Sequence, residues 1–299
     1  NFLIKCFNSS KLVSFFRIAY DIRNSDYIFI WNSPMHFVSV ISKIFFRSKA
    51  KLIWWHHHYP WYYSINANFY TKSKRFANSE YLKQSIKDIY KIDSKILHPV
   101  LDDKFLNYTP SLIFPINREK NNSKVIFSYG RWVEGKNLGL VFDVYEGLKD
   151  RINNLVLMIW GDWEEVSYYM DKYKDNKNII FSGMLLKKQI IEHLEKSDLF
   201  LFPSSIDSFG LVLLESMSIW VPVISYNIFW AKEIVKDWYN WYLVSSSEEF
   251  VDRSYDVLSN LELQKNLSIN CFDISNTFNN HTFDEELSRI FKSFSFEFI

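Results

Sequence analysis

The chain has 299 residues and a mass of 35.9 kDa, more than one hydrophobic core usually spans, so two domains are expected. Lys and Arg number 35 against 34 Asp and Glu, and the formal net charge of +1 gives no global field for nucleic acid or an anionic membrane. The two cysteines, Cys6 and Cys271, fit neither a disulfide framework nor a metal-ligand spacing, and no apolar run approaches the ~18–20 residues that cross a bilayer. A cytoplasmic setting follows, with peripheral contact at the inner face of the membrane left open. The opening Asn1-Phe2-Leu3-Ile4-Lys5 is no signal peptide, and its lack of a methionine points to a trimmed or incomplete chain.

Short apolar runs alternate with longer segments of helical period, the pattern of α/β domains with parallel sheets and crossover helices. In the first half, strands are expected at 27–31, 51–55, 75–78 and 95–97, with a helix over 79–90 that opens on a serine N-cap. Residues 105–122, with Asn107, Pro110, Pro115 and a polar run from Asn117, read as a linker. Strands then recur at 124–129, 155–160, 178–181, 199–202 and 221–225, and helices at 138–149, 164–174, 187–196 and 209–219. The amphipathic tail 283–294 is suited to fold back on the first domain. Domains 1–115 and 116–280, followed by a C-terminal helix in 281–299, are the resulting division.

One segment concentrates chemistry. The buried strand 199–202 ends at Pro203, a loop carries Asp207, and a helix begins near Phe209 with its free N–H groups at the carboxyl end of the sheet, which makes an anion site. Glu215 interrupts a helix face otherwise formed by Leu211, Val212, Leu213, Leu214 and Met217. A carboxylate there is costly unless something pairs with it, and a pair of ligand hydroxyls would do so.

Asp207-x7-Glu215 resembles the E-x7-E motif of retaining GT-B glycosyltransferases, especially glycosyltransferase family 4 (glycosyl transferases group 1). Gly130-Arg131-Trp132-Val133-Glu134-Gly135-Lys136-Asn137 resembles the family's G-R-x-x-x-x-K-[GN] segment, Phe181-Ser182-Gly183 its F-x-G turn and Pro222-Val223-Ile224 its G-x-P-V-[IV] strand. The resemblance implies a GT-B fold, two Rossmann-like domains whose parallel sheets face an interdomain cleft. It also implies hexose transfer, with retention of configuration, from a nucleotide-sugar donor to a glycan or lipid-linked acceptor in polysaccharide biosynthesis. GDP-mannose stands slightly ahead of UDP-hexoses as donor, with no metal cofactor.

Carried over by the same resemblance, Arg131 and Lys136 bind the donor diphosphate, Glu215 the ribose hydroxyls, and Asp207 with the Phe209-Gly210 backbone the transferred sugar. Gly130, Ser208 and Leu211 complete the donor site. Two fixed cations suit a departing nucleoside diphosphate where other enzymes use a metal. Asp207 is one methylene shorter than the family glutamate, which keeps the charge and shortens the reach. In the first domain a histidine after strand 51–55 faces the sugar; His56, His57 and His58 all qualify, and His57 is preferred. The family's first strand and Gly-rich loop have no counterpart before Asn24.

Other readings are weaker. Gly130-x4-Gly135-Lys136 approaches a P-loop, but Asn137 replaces the Mg²⁺-binding hydroxyl. His56-His57-His58 lacks the spacing and partners of a zinc site. A sugar-nucleotide epimerase of the same architecture, or a non-catalytic nucleotide-sugar-binding module, would use many of the same residues. The aromatic content is mainly core, although Tyr59, Trp61, Tyr62 and Tyr63 include candidates for an acceptor cleft.

The composition itself is unusual. There are only 7 glycines, where about 21 are expected at ~7% usage, alongside 11 tryptophans. Trp163, Trp220, Trp230, Trp238 and Trp241 stand where the family has glycine, and Trp220 falls where a left-handed residue should follow the Glu215 helix. These five are expected to be glycine in the native protein, through a UGA codon read as glycine.

Overall fold

The computed structural model describes residues 20–21, 23–24, 27–30, 47, 51–56, 74–91, 93–108, 123–130, 132, 135–161, 164–229, 231–235, 239 and 242–296. The chain divides into two compact units, Asn1–His98 and Pro99–Ile299. The boundary expected at 115/116 falls in residues 109–122, outside those described.

In the first unit, strands β1 (Tyr27–Ile30), β2 (Lys51–His56), β3 (Lys74–Ala77) and β4 (Lys95–Ile96) form a parallel sheet in that order. Helix α1 (Glu80–Tyr90) links β3 to β4. Ser79 caps it as the sequence requires, its Oγ accepting from Leu82 N at 3.0 Å, while Lys91 closes it at φ 56. Ala77, Leu82 and Ile86 are fully buried between helix and sheet.

The second unit opens with a short helix, α2 (Asp103–Leu106), capped by Asp102. The expected linker therefore begins later than residue 105: Phe105 is buried, Asp102 pairs with Lys187 at 2.6 Å, and Leu101 N donates to Phe278 O. Then come β5 (Lys124–Tyr129), α3 (Leu138–Leu148), β6 (Leu155–Trp160), α4 (Glu164–Lys172), β7 (Ile179–Phe181), α5 (Lys187–Glu195), β8 (Leu199–Phe202) and α6 (Leu211–Ser218). The unit ends with β9 (Val223–Tyr226), α7 (Ala231–Ile234), β10 (Tyr242–Val244), α8 (Ser247–Ser259), α9 (Leu261–Ser275) and α10 (Asn280–Phe296). None of the described helices is long and apolar enough to cross a membrane.

The sheet order is β10-β9-β8-β5-β6-β7, parallel throughout. The chain leaves β5 towards β6 and β7, then crosses back to β8 and continues to β9 and β10. The order reverses between β5 and β8, the place where ligands bind beyond the carboxyl ends of an open α/β sheet. The ladder between these strands pairs Ile126 with Leu199 and Phe127 with Phe200; further on, Ser128 Oγ donates to the Leu201 carbonyl at 2.7 Å. At the other end the buried Asp198 accepts from Val125 N (2.8 Å) and Gln264 Nε2 (3.1 Å), tying β5, β8 and α9 together.

Strand alternation divides the core. Ile126, Leu157, Leu199, Leu201 and Ile224 join Leu138, Val141, Phe250 and Val257 of α3 and α8 on one side. On the opposite side Phe127 meets His193 of α5 and Tyr129 reaches Glu215 of α6.

Helix α6 ends in a Schellman arrangement: Trp220 N donates to Met217 O (2.9 Å) and Val221 N to Ser216 O (3.2 Å). Trp220 is left-handed at φ 61, as its place after the helix implied. An L side chain pays about 1–2 kcal/mol in that conformation. The indole stacks on Phe272 of α9 with centroids 4.5 Å apart, and its Nε1–H is buried without a partner among the described residues. Trp163, Trp230, Trp238 and Trp241 lie outside the described residues.

Candidate functional site

Two loops meet beyond the carboxyl ends of β5 and β8. The loop after β5 reaches Gly135, whose carbonyl accepts from both Ser205 N (2.8 Å) and Ser205 Oγ (2.9 Å) of the loop after β8. Gly135 is left-handed at φ 85, which favours glycine, and a Cβ there would also press on the half-exposed Ile206 side chain at 2.8 Å. Asn137, also left-handed, donates through Nδ2 to the Pro203 carbonyl at 2.9 Å. The fastened loops fix Lys136 and Asp207 opposite one another.

Lys136 Nζ lies 2.7 Å from Asp207 Oδ2 and 5.1 Å above the Phe202 ring. Asp207 Oδ1 accepts from Ser208 N at 2.7 Å and Phe209 N at 3.4 Å, which folds the chain towards α6. The sequence assigned Lys136 to a diphosphate and Asp207 to a sugar; in the structure each neutralises the other. Phe209 is buried edge-on against Phe278, so it offers the site its backbone alone. Gly210, at φ 85, starts α6 without a side-chain cap, leaving first-turn N–H groups available for an anion.

Glu215 lies just over one turn inside α6, and its Oε2 accepts from Tyr129 Oη at 2.6 Å. Burial holds its carboxyl above the usual carboxylate range, opposed by the Tyr129 hydrogen bond and then by the charge of Lys187. Burial, reinforced by Glu215, pushes the Tyr129 phenol well above its ordinary value. Trp132 is buried alongside, its Nε1 donating to the Trp160 carbonyl at 2.7 Å. Gly161 must be glycine for this packing, since a Cβ would lie 2.5 Å from the Trp132 ring.

The structure thus gathers Gly130, Lys136, Asp207, Ser208, Phe209, Gly210, Leu211 and Glu215 at the β5/β8 switch point. Among the described residues nothing lies within 4 Å of where a Gly130 Cβ would stand. Arg131 and His57 lie outside the described residues, as does His58; His56 ends β2 in the first unit. Tyr129 and Ser205 were not singled out from sequence. Tyr129 had a signal: it shares the strand face of Phe127 and immediately precedes Gly130.

Fold and site define a parallel α/β protein that brings Lys136, Asp207 and Glu215 together around the uncapped start of α6 at the switch point of its second sheet. Residues 111–272, more than half of the chain, match the family described as Glycosyl transferases group 1, and the chain belongs to that family. It is similar to the uncharacterized glycosyltransferase YqgM of Bacillus subtilis (strain 168), with 34% identity over 99 residues. That match covers 32% of this chain and 28% of the relative's length. In fold it is similar to a glycosyltransferase from Rickettsia africae ESF-5, with TM-score 0.76 and 18% identity over 97% of this chain and 84% of that one. It is also similar to HepE of Anabaena, crystallised with UDP and glucose, with TM-score 0.75 and 16% identity over 93% and 81% of the two chains. These likenesses show the GT-B class of parallel α/β fold.

Proposed function

We propose that the chain transfers a hexose from a nucleotide sugar to a glycan or lipid-linked acceptor, with retention of anomeric configuration, as a member of glycosyltransferase family 4. The observation that carries the reading is the grouping of Lys136, Asp207 and Glu215 around the uncapped start of α6 at the switch point. A nucleoside diphosphate sugar matches it part by part. Glu215 accepts the ribose hydroxyls, Lys136 and the α6 N–H groups meet the diphosphate, and Asp207 accepts from the sugar. Arg131, on the sequence resemblance, adds a second cation, and the same resemblance assigns His57 to the sugar. The UDP and glucose held by HepE support a donor of this class.

In the proposed reaction the bond from the sugar's anomeric carbon to the diphosphate breaks, and a bond to the acceptor oxygen forms on the same face. The acceptor's proton passes to a phosphate oxygen of the departing nucleoside diphosphate. Lys136 and the helix N-terminus stabilise the charge that develops there, in the role a metal plays elsewhere. Among the described residues no three His, Cys, Asp or Glu side chains gather to hold a metal ion.

The test is release of nucleoside diphosphate from GDP-mannose, UDP-glucose and related donors, with and without glycan or lipid-linked acceptors. Acceptor-dependent release with a retained anomeric centre is expected. Conversion of the sugar nucleotide without any acceptor would overturn transfer in favour of an epimerase.

A further inference from the structure

Building on the donor reading of Glu215, we propose that Tyr129 is a positioning residue of the donor site: its hydroxyl holds Glu215 Oε2 and aims Oε1 at the ribose hydroxyls. The placement is rigid. Tyr129 is the last residue of β5, buried, and its ring lies 5.2 Å from Phe127, 5.1 Å from Phe200 and 5.5 Å from Trp160, so the phenol has one direction open to it. Along that direction lies Glu215 Oε2 at 2.6 Å; the Val212 carbonyl, at 3.5 Å, is a poor alternative.

The packing alone does not call for a hydroxyl. Phenylalanine would fill the same space among these rings, and a buried phenol needs an acceptor that phenylalanine does not. The carboxylate gains from the arrangement, because its hydroxyl-accepting form is the ionised one, which burial disfavours. Among the described residues the other charged groups bearing on it are Lys187 of α5 and Asp102 before α2, acting in opposite senses and paired with each other at 2.6 Å. Of the described groups, the Tyr129 hydrogen bond is the largest influence favouring the ionised Glu215.

The test is the affinity for UDP and GDP, measured by calorimetry from pH 5.5 to 8.5, in the wild type, Tyr129→Phe, Glu215→Gln and the double variant. Tyr129→Phe is expected to weaken the preferred nucleotide about tenfold towards the acid end of this range and to recover part of that towards its alkaline end, because losing the hydrogen bond moves the Glu215 titration upward. In the Glu215→Gln background the same change should add little and show no pH dependence. With the donor sugar varied, the KM should rise while kcat stays close to the wild type. A Tyr129→Phe protein with unchanged affinity across the pH range would overturn the positioning role alone. So would an equal loss in both backgrounds, which marks a packing effect. If Glu215→Gln itself leaves nucleotide affinity intact, the ribose reading of Glu215 falls and this role falls with it.

Discussion

Lys136 Nζ and Asp207 Oδ2 form a 2.7 Å ion pair across the two loops of the switch point, so two groups suited to different parts of one ligand hold each other. A diphosphate must compete with Asp207 for the lysine. Asp207→Asn is therefore expected to bind free nucleoside diphosphate at least as tightly as the wild type, while losing roughly tenfold to a hundredfold in affinity for the full sugar nucleotide. Lys136→Ala should weaken both by a similar factor. Calorimetric titration of each variant with UDP, GDP and their sugars checks this; an Asp207→Asn loss confined to the free nucleotide would refute both assignments.

Glu215→Gln should trade function for stability. Burial raises the Glu215 carboxyl above its unfolded value, so the folded protein holds that proton more tightly. Its contribution to stability is largest in acid and is lost as pH rises from the ordinary carboxylate range through the raised folded value. Above that raised value the ionised side chain is a cost, and the uncharged amide removes it. Thermal unfolding should show a gain on the order of 1 kcal/mol at pH 7.5 that shrinks towards pH 4, together with weaker nucleotide binding.

Trp220 and Trp132 should respond oppositely to truncation. Trp132 is buried with its indole N–H satisfied by the Trp160 carbonyl, so Trp132→Ala should cost about 3–5 kcal/mol. Trp220 sits left-handed with an unpartnered indole N–H, two costs that offset its stacking on Phe272. Trp220→Gly is expected to leave the melting temperature unchanged or raise it. The gene gives a second check: UGA at codons 163, 220, 230, 238 and 241, with glycine found by mass spectrometry of the native protein, is the expected result, and UGG there rules it out.

Turnover should survive EDTA, because the proposed charge stabilisation comes from Lys136, Arg131 and the α6 N-terminus. Nucleoside diphosphate release before and after chelation measures this. Complete loss restored by Mg²⁺ or Mn²⁺ would require another mechanism.

The site was legible because its parts are short and local in sequence: a strand end, a glycine turn, a loop acid and a helix start, each with a distinct residue type. Long apolar runs such as Lys124–Tyr129 and Leu155–Trp160 announced their strands, and Ser79 announced its helix. Less was visible after residue 226. Strand β10 has only three residues, and α9 turns Gln264, Ser268 and Ser275 inward beside Leu267 and Cys271, so no apolar stripe marks its buried face. The Lys136–Asp207 pair was hidden for another reason. It joins groups 71 positions apart, and no spacing rule links the loops that carry them. Phe209 was assigned through its backbone alone, and the partner of its side chain, Phe278, is distant in the chain and equally invisible to spacing.

The far end of α6 matters to its near end. The helix whose start is proposed to receive the donor is wedged at both extremities, by Phe209 on Phe278 and by Trp220 on Phe272, while Ser205 locks the facing loop to Gly135. A ligand arriving at this edge finds the described protein groups already ordered, so little conformational entropy is surrendered by the second unit on association. The share of the binding heat capacity that comes from the described groups of the second unit should then reflect dehydration rather than folding around the ligand.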